Sequence, residues 1–299
     1  MKLSILTATY NREKYLSKLY ESIKENMKYN IIPEWIIVDD GSTDNTKDIV
    51  QGFINEQKVE IKYFFQENKG KMSAINKAVE IATGDFIVDC DSDDFFTEDA
   101  FKIIEQNADF LLQNDNLYGM IFLKKENDGT FSGKEFKENN KITTMLELYF
   151  KDDVQGEKII VYNSKIRKLF FHELEKGEKF ITESRMYHKM DENYKLITIN
   201  KAVEQGSYVS DGYTKNINQT FIKNPYGYYM YFKEILQKNL KDIKWSKKLY
   251  VIKHYILFGY LTNSKFDDKI IYNKINKIIY RILYLPGIIK SKKYKKGGE

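Results

Sequence analysis

The chain predicts a doubly wound α/β sheet with a helical extension behind it. Three observations carry this. Short apolar runs alternate with stretches whose apolar residues recur every three or four positions, the signature of strands joined by helices. Each apolar run in the first hundred residues stops at a polar or acidic cluster. Beyond Pro225 the alternation gives way to an amphipathic, aromatic-rich helical pattern.

Lys2 to Thr7 is an apolar run and reads as a buried strand. Asn11 to Asn26 carries Tyr15, Leu19 and Ile23 at helical spacing. Trp35 to Val38 is a second strand, stopping at Asp39-Asp40-Gly41-Ser42, and Ser42-Thr43-Asp44 offers the cap for a helix over Asn45 to Gln57. Val59 to Phe65 is a third strand. Lys71 to Thr83 is a helix stopped by Gly84, Phe86 to Asp89 a fourth strand, and Glu98 to Asn107 a further helix. Leu117 to Leu123, Lys158 to Tyr162 and Leu196 to Ala202 read as strands that complete the sheet and build a second binding surface. In the rear, Tyr228, Tyr231, Phe232, Ile235 and Leu236 form one apolar face; Leu249, Ile252, Ile256 and Leu257 form another. The expected division is a sheet domain over 1–222, with halves 1–110 and 111–222, and an extension over 223–299.

Composition narrows the function classes. The 299 residues are 42% hydrophobic, which fits one large domain with an appendage. Net charge is +5 but uneven: residues 223–299 hold 18 Lys and Arg against 5 Asp and Glu, so the front is acidic and the rear basic. A lone cysteine, Cys90, excludes a disulfide framework and implies a reducing compartment. The N-terminal run lacks the longer apolar core of a signal peptide, and no apolar stretch reaches the roughly 18 residues of a spanning helix. The expected location is cytoplasmic, at the inner face of the cell membrane. His172, His188 and His254 are scattered, which argues against a histidine metal site. No Gly-x-Gly-x-x-Gly and no phosphate-loop lysine motif occurs, which argues against dinucleotide oxidoreductases and NTPases. No nucleic-acid-binding module is visible.

The most informative cluster is Asp89-Cys90-Asp91-Ser92-Asp93-Asp94 at the end of the fourth strand. Carboxylates packed this closely repel one another, so a cation explains their company. Hard oxygen ligands suit Mg²⁺ or Mn²⁺, with substrate phosphates completing the shell. In a doubly wound sheet such clusters converge outside the carboxyl ends of the strands.

Five segments in order then form a recognisable series: Ser4 to Arg12, Ile37 to Asp44, Asn68 to Asn76, Gly84-Asp-Phe-Ile87, and Asp91 to Asp94. The series closely resembles the family 2 glycosyltransferases with the GT-A fold, firmly over Lys2 to Phe110 and more loosely over Asp153 to Asn216. The resemblance implies a mixed or parallel GT-A sheet. It also implies inverting transfer of a sugar from a UDP-sugar, with Mn²⁺ or Mg²⁺, to a hydroxyl of a glycan or lipid-linked saccharide in surface polysaccharide synthesis. By position, Ala8 and Tyr10 frame the nucleobase, and Asp40 accepts a hydrogen bond from the uracil imide with Asp39 beside it. Lys71 lies near the diphosphate. Asp91 and Ser92 face the donor, Asp93 with Asp91 holds the metal, and Glu183 is the base that deprotonates the acceptor. Asp211 and Glu178 stay open as alternatives for the base, and Arg185 would pair with a phosphate or with Glu183. Ala8 replaces a common proline and Met72 a common polar residue. Asp89 is expected outside the metal shell and Asp94 behind it or leading a helix.

Outside the resemblance, Ile278, Ile279, Ile282, Leu283, Leu285, Ile288 and Ile289, followed by five lysines, read as an interfacial membrane anchor or as packing on the core; an aromatic dimer seam is the third reading. Two other classes are weighed. A nucleotidyltransferase on this fold would carry a Gly- and Arg-rich loop where the chain has Thr9-Tyr10-Asn11-Arg12. A degenerate adaptor would have lost Asp91, Asp93 or Glu183.

Overall fold

Among the described residues, nine strands form one mixed sheet: β1 (Lys2–Thr9), β2 (Ile32–Asp39), β3 (Glu60–Phe65), β4 (Phe86–Asp89), β5 (Phe95–Phe96), β6 (Leu117–Lys125), β7 (Ile142–Thr143), β8 (Lys158–Asn163) and β9 (Lys195–Gln205). The helices are α1 (Leu16–Asn26), α2 (Thr46–Glu56), α3 (Lys71–Ile81), α4 (Ala100–Leu112), α5 (Met145–Phe150), α6 (Ser164–Arg167), α7 (Glu183–Met190), α8 (Ile217–Lys223), α9 (Pro225–Gln237) and α10 (Trp245–Leu261). The structure, a computed structural model, describes residues 1–175, 177–206, 217–238, 243–264, 271, 277–284 and 286–288. It divides into two compact units, Met1–His172 with Met186–Val209, and Glu173–Arg185 with Ser210–Glu299.

In the first unit the strand order is β3-β2-β1-β4-β8-β6-β9-β5, with β7 beside β9. β1, β2, β3 and β4 are parallel; β8 runs antiparallel to both β4 and β6, and β9 is parallel to β6. The winding therefore reverses between β1 and β4. That crevice is where an open α/β sheet binds its ligands.

Alternation along the strands splits the core in two. Leu3, Ile5, Trp35, Ile37, Phe86 and Val88 face α1, α2 and α4. Leu6, Ile36, Val38 and Ile87 face α3 through Ala74, Ile75 and Ala78. On the first face Tyr20 stacks on Phe53 at 4.2 Å between ring centroids, with Trp35 alongside.

At the amino-terminal edge of the sheet a fully buried carboxylate, Glu34, is held by Lys62 at 2.7 Å and Lys2 at 3.0 Å. It also accepts hydrogen bonds from Ser4 Oγ and from Thr83 N and Oγ1. Burial would raise its pKa, but these hydrogen bonds outweigh it and hold the carboxyl far below the usual range. The network ties the α3–β4 turn to β1 and β2. Gly84 sits in that turn for a reason the sequence reading did not identify. It does not cap α3, which ends at Ile81; a Cβ at Gly84 would lie 2.7 Å from Ser4 N.

α1 begins at Leu16 rather than Asn11. Asn11 has a left-handed φ of 53°, and its side chain is spent on the neighbouring loop. β5 and β7 are short elements without periodic signal, placed by pairing with β9, and the short helices α5 and α6 start on the side-chain caps of Thr144 and Asn163. In the second unit, α9 and α10 join through rings: Tyr228 on Phe258 at 5.1 Å, Phe232 on Phe258 at 5.7 Å and Tyr229 on Tyr255 at 5.4 Å. This unit supplies the predicted helical extension. Of the anchor residues, Ile278 and Ile282 are exposed, while Leu285, Ile289 and the lysine-rich tail lie outside the described residues. Among the described residues no helix is long and apolar enough to cross a membrane.

Candidate active site

Three parallel strand ends supply the site. Thr9 of β1 is in register with Asp39 of β2, and the chain beyond Asp89 continues beside β1, with Cys90 N donating to Leu6 O and Thr7 Oγ1 donating to Cys90 O. The turns after β1 and β2 are stitched together. Asn11 N donates to Ser42 Oγ at 2.9 Å, and Thr43 N donates to Asn11 Oδ1 at 2.8 Å. Tyr10 stands at this rim with 47% of its surface exposed, a free aromatic face beside partly buried Ala8.

Asp39 and Asp40 are both buried and both occupied. Asp39 accepts from Ser42 N and from Tyr63 Oη, each at 2.7 Å. Asp40 accepts from Gln66 Nε2 at 2.7 Å, Lys69 N at 2.8 Å and Gly70 N at 2.7 Å. Asp40 thus shapes the loop that delivers Lys71 to the first turn of α3. Gly70 turns the chain there with a φ of 96°.

Lys71 reaches the end of β4. Its Nζ lies 2.7 Å from Asp91 Oδ1 and 2.9 Å from Asp91 Oδ2. Burial would raise the Asp91 carboxyl; the Lys71 ammonium outweighs it and keeps Asp91 below its ordinary value. Asp93 moves the other way, raised by burial and then by Asp91. Ser92 is buried between them, and Asp94 N closes the turn onto Asp91 O at 3.0 Å.

Behind this turn is a layer the sequence reading did not find. Asp94 leads no helix: its buried carboxylate pairs with Lys124 of β6 at 2.7 Å, and Lys124 reaches Glu157 at 2.6 Å. Burial pushes Asp94 up to about 7 against the pull of Lys124. Glu204 of β9 is also buried, and burial followed by Asp94 raises its carboxyl well above normal. Gly206 leaves the space that Asp94 fills, since a Cβ there would lie 1.7 Å from Asp94 Oδ1. The available signal was a charged residue at the end of an otherwise apolar strand: Lys124 after Leu117–Leu123, and Glu204 after Val203. Cys90 is buried and its thiol is pushed well up, consistent with a packing role.

The turn thus gathers more carboxylates than cations, and Asp91 and Asp93 offer hard oxygen donors at its tip. Among the described residues no three His, Cys, Asp or Glu side chains form a metal-holding group. Two carboxylates suit a cation that draws its other ligands from a nucleotide diphosphate and water, the usual habit of Mg²⁺. The donor set therefore fits such an ion.

Glu183 is the first residue of α7, in the second unit, and is partly exposed. The alternatives for its role stand differently. Glu178 accepts Tyr226 N at 2.6 Å and Gly227 N at 2.7 Å, capping α9. Asp211 lies outside the described residues. Arg185 pairs with Glu234 at 2.8 Å and Glu173 at 3.1 Å, both carboxylates of its own unit.

Comparison with known proteins agrees with this fold. The sequence profile described as Glycosyl transferase family 2 matches residues 4–166, more than half of the chain. A Campylobacter jejuni subsp. jejuni protein named GalNAc(5)-diNAcBac-PP-undecaprenol beta-1,3-glucosyltransferase is 26% identical over 297 residues, covering 96% of this chain and 91% of that protein. Other curated relatives are matched only in part: the alignments span 43%, 29% and 45% of three of them. Staphylococcus aureus TarS 1–349, solved with UDP-GlcNAc, superposes with a TM-score of 0.61 at 19% identity, over 100% of this chain and 93% of that one. The mannosyltransferase PcManGT from Pyrobaculum calidifontis, solved with GDP-Man and Mn²⁺, gives 0.56 at 15% identity, over 97% and 85%. A mixed sheet with this strand-end cluster, the GT-A fold of these neighbours and the matching profile place the chain in glycosyltransferase family 2.

Proposed function

We propose that the chain is an inverting glycosyltransferase that moves a sugar from a UDP-sugar to a hydroxyl of a glycan or lipid-linked saccharide, in the assembly of a surface polysaccharide. The observation that carries this reading is the meeting of Asp91, Asp93 and Lys71 with the Asp39–Asp40 turn at adjoining strand ends. The UDP-GlcNAc complex of TarS and the undecaprenol-linked substrate named for the Campylobacter relative support the choice of donor and acceptor.

In this reading residues 1–110 hold the nucleotide sugar and residues 111–222 the acceptor. Tyr10 stacks on the base beside Ala8. Asp39 and Asp40 form the base pocket, with Asp40 offering a remaining lone pair to the uracil imide. Asp91 and Ser92 face the ribose and sugar. Asp93, with Asp91, would hold Mn²⁺ or Mg²⁺, which when bound supplies charge to the diphosphate. Lys71 stabilises the same charge as it grows on the leaving group. Glu183 takes the proton of the acceptor hydroxyl. The acceptor oxygen attacks the anomeric carbon, the carbon–oxygen bond to phosphate breaks, and UDP leaves with the electron pair. General-base assistance of this kind contributes about 10²–10⁴ in rate.

The test is sugar transfer by two variants. Glu183→Gln is expected to lose transfer while still binding UDP, and Asp93→Ala to lose transfer together with metal-dependent UDP binding. Full transfer by Glu183→Gln would remove Glu183 from the role of base.

A further inference from the structure

Beside the proposed donor site lies a buried polar group to which the reading above gives no role. Asp89 follows Ile87 by two positions, so both project from the α3-side face of β4. Tyr162 is opposite Ile87 across the β4–β8 pair, and the Arg167 guanidinium sits 5.4 Å from the Tyr162 ring centroid. Arg167 is fully buried. Its Nη1 donates to Phe170 O, while Nε and Nη2, which share one edge of the guanidinium, have no partner. His172 is also buried, and neither ring nitrogen is bonded. Its main chain is clamped by Asn76 of α3, which accepts from His172 N and donates to His172 O, both at 2.8 Å. Asp89 Oδ1 is shielded and unpartnered as well. Lys71 ties this group to the donor turn, because its charge acts on Asp89 and His172 while its Nζ bonds Asp91.

Five buried polar atoms without partners, each costly to leave unmade, mark a place for something else to complete. Neither the free edge of Arg167 nor Asp89 Oδ1 is satisfied by the other. Burial keeps the His172 ring neutral, with one donor and one acceptor. An occupant that accepts at Arg167 and can both donate and accept at Asp89, whose carboxyl burial raises, would complete the group. A phosphate only accepts and an ammonium only donates; hydroxyl groups do both.

We propose that Asp89, Arg167 and His172 form the subsite that reads the hydroxyl groups of the transferred sugar and so sets donor choice. This rests on the strand-end cluster being a UDP-sugar site. The experiment is calorimetric titration of wild type, Asp89→Asn and Arg167→Lys with UDP, UDP-glucose, UDP-galactose, UDP-GlcNAc, UDP-GalNAc and UDP-glucuronate. Wild type is expected to separate the neutral UDP-sugars by about 10–100-fold. Both variants should bind UDP within about twofold of wild type and flatten that separation.

Retained separation in both variants, or none in wild type, overturns the subsite; water alone then fills the group. Preference for UDP-glucuronate overturns the hydroxyl reading in favour of a carboxylate on Arg167. Equal loss of UDP and UDP-sugars in both variants assigns the residues to folding and also overturns it. Absence of UDP binding in wild type overturns the donor-site reading first and this inference with it.

Discussion

Glu34→Gln isolates the electrostatic anchor of the sheet from its chemistry. The substitution keeps the shape of a fully buried side chain and removes its charge. Lys62 at 2.7 Å and Lys2 at 3.0 Å then face a neutral amide. The new NH₂ group opposes donors already aimed at that position, from Ser4, Thr83 and Gly84. Breaking one side of a buried ion pair costs about 3–5 kcal/mol. Both lysines are more than a quarter exposed and regain water, which favours the lower end, about 3 kcal/mol. At about 2–4 °C per kcal/mol for a unit of this size, Tm should fall by about 6–12 °C. Trp35 adjoins Glu34 and is fully buried, whereas Trp245 in the second unit is half exposed, so urea unfolding in a Trp245→Phe background reports this sheet alone. The sign of the pH dependence follows from the depressed folded pKa. The gap between wild type and variant should be full above the unfolded value of about 4.3 and close as pH falls toward the folded one. UDP affinity should stay within about twofold, because Glu34 pairs with Ser4, at the opposite end of the strands from Thr9 and Asp39. A loss below about 1 kcal/mol, or a gap that persists unchanged to pH 3, would refute the reasoning.

Three further outcomes follow from contacts described above. Gly84→Ala places a Cβ 2.7 Å from Ser4 N and 2.8 Å from Lys2 O, where backbone cannot yield, so thermal unfolding should show a loss of about 1–3 kcal/mol. Asp40→Ala strips the acceptors of Lys69 N and Gly70 N, and should cost about 2–4 kcal/mol by the same assay and weaken UDP binding by freeing the loop before Lys71. Arg185→Ala removes the partner of Glu234 and Glu173; faster hydrogen exchange across α9, with β1 to β4 unchanged, is the expected result, at a cost of about 2–3 kcal/mol.

The front of the fold was legible because its local signals agree with its tertiary role. The apolar runs that become β1, β2 and β4 are buried on both faces, and each ends at the cluster the turn requires, whereas the edge strand β3 stays half exposed. The strand-end acids were legible for the same reason, since Asp91 and Asp93 follow an apolar run that could only be a strand. What stayed hidden depends on distant partners. Nothing near Asp94 announces Lys124, thirty residues on, and nothing near Glu34 announces Lys62 or Thr83. Asn11 reads as a helix residue until its left-handed backbone and its bond to Thr43 are seen. β7, two residues long, exists only because β9 lies beside it. Arg167 and His172 carry no motif, and their significance lies in burial without partners.

The central claim is that the turn of Asp91, Asp93 and Lys71 receives a uridine diphosphate. Calorimetric titration of UDP into wild type and Asp93→Ala, with Mn²⁺ or with chelator, and repeated with GDP, tests it most directly. The account predicts that UDP binds wild type in preference to GDP, that Mn²⁺ strengthens this binding, and that Asp93→Ala abolishes the Mn²⁺ effect. Absence of UDP binding, or Mn²⁺-dependent binding that survives in Asp93→Ala, would contradict it.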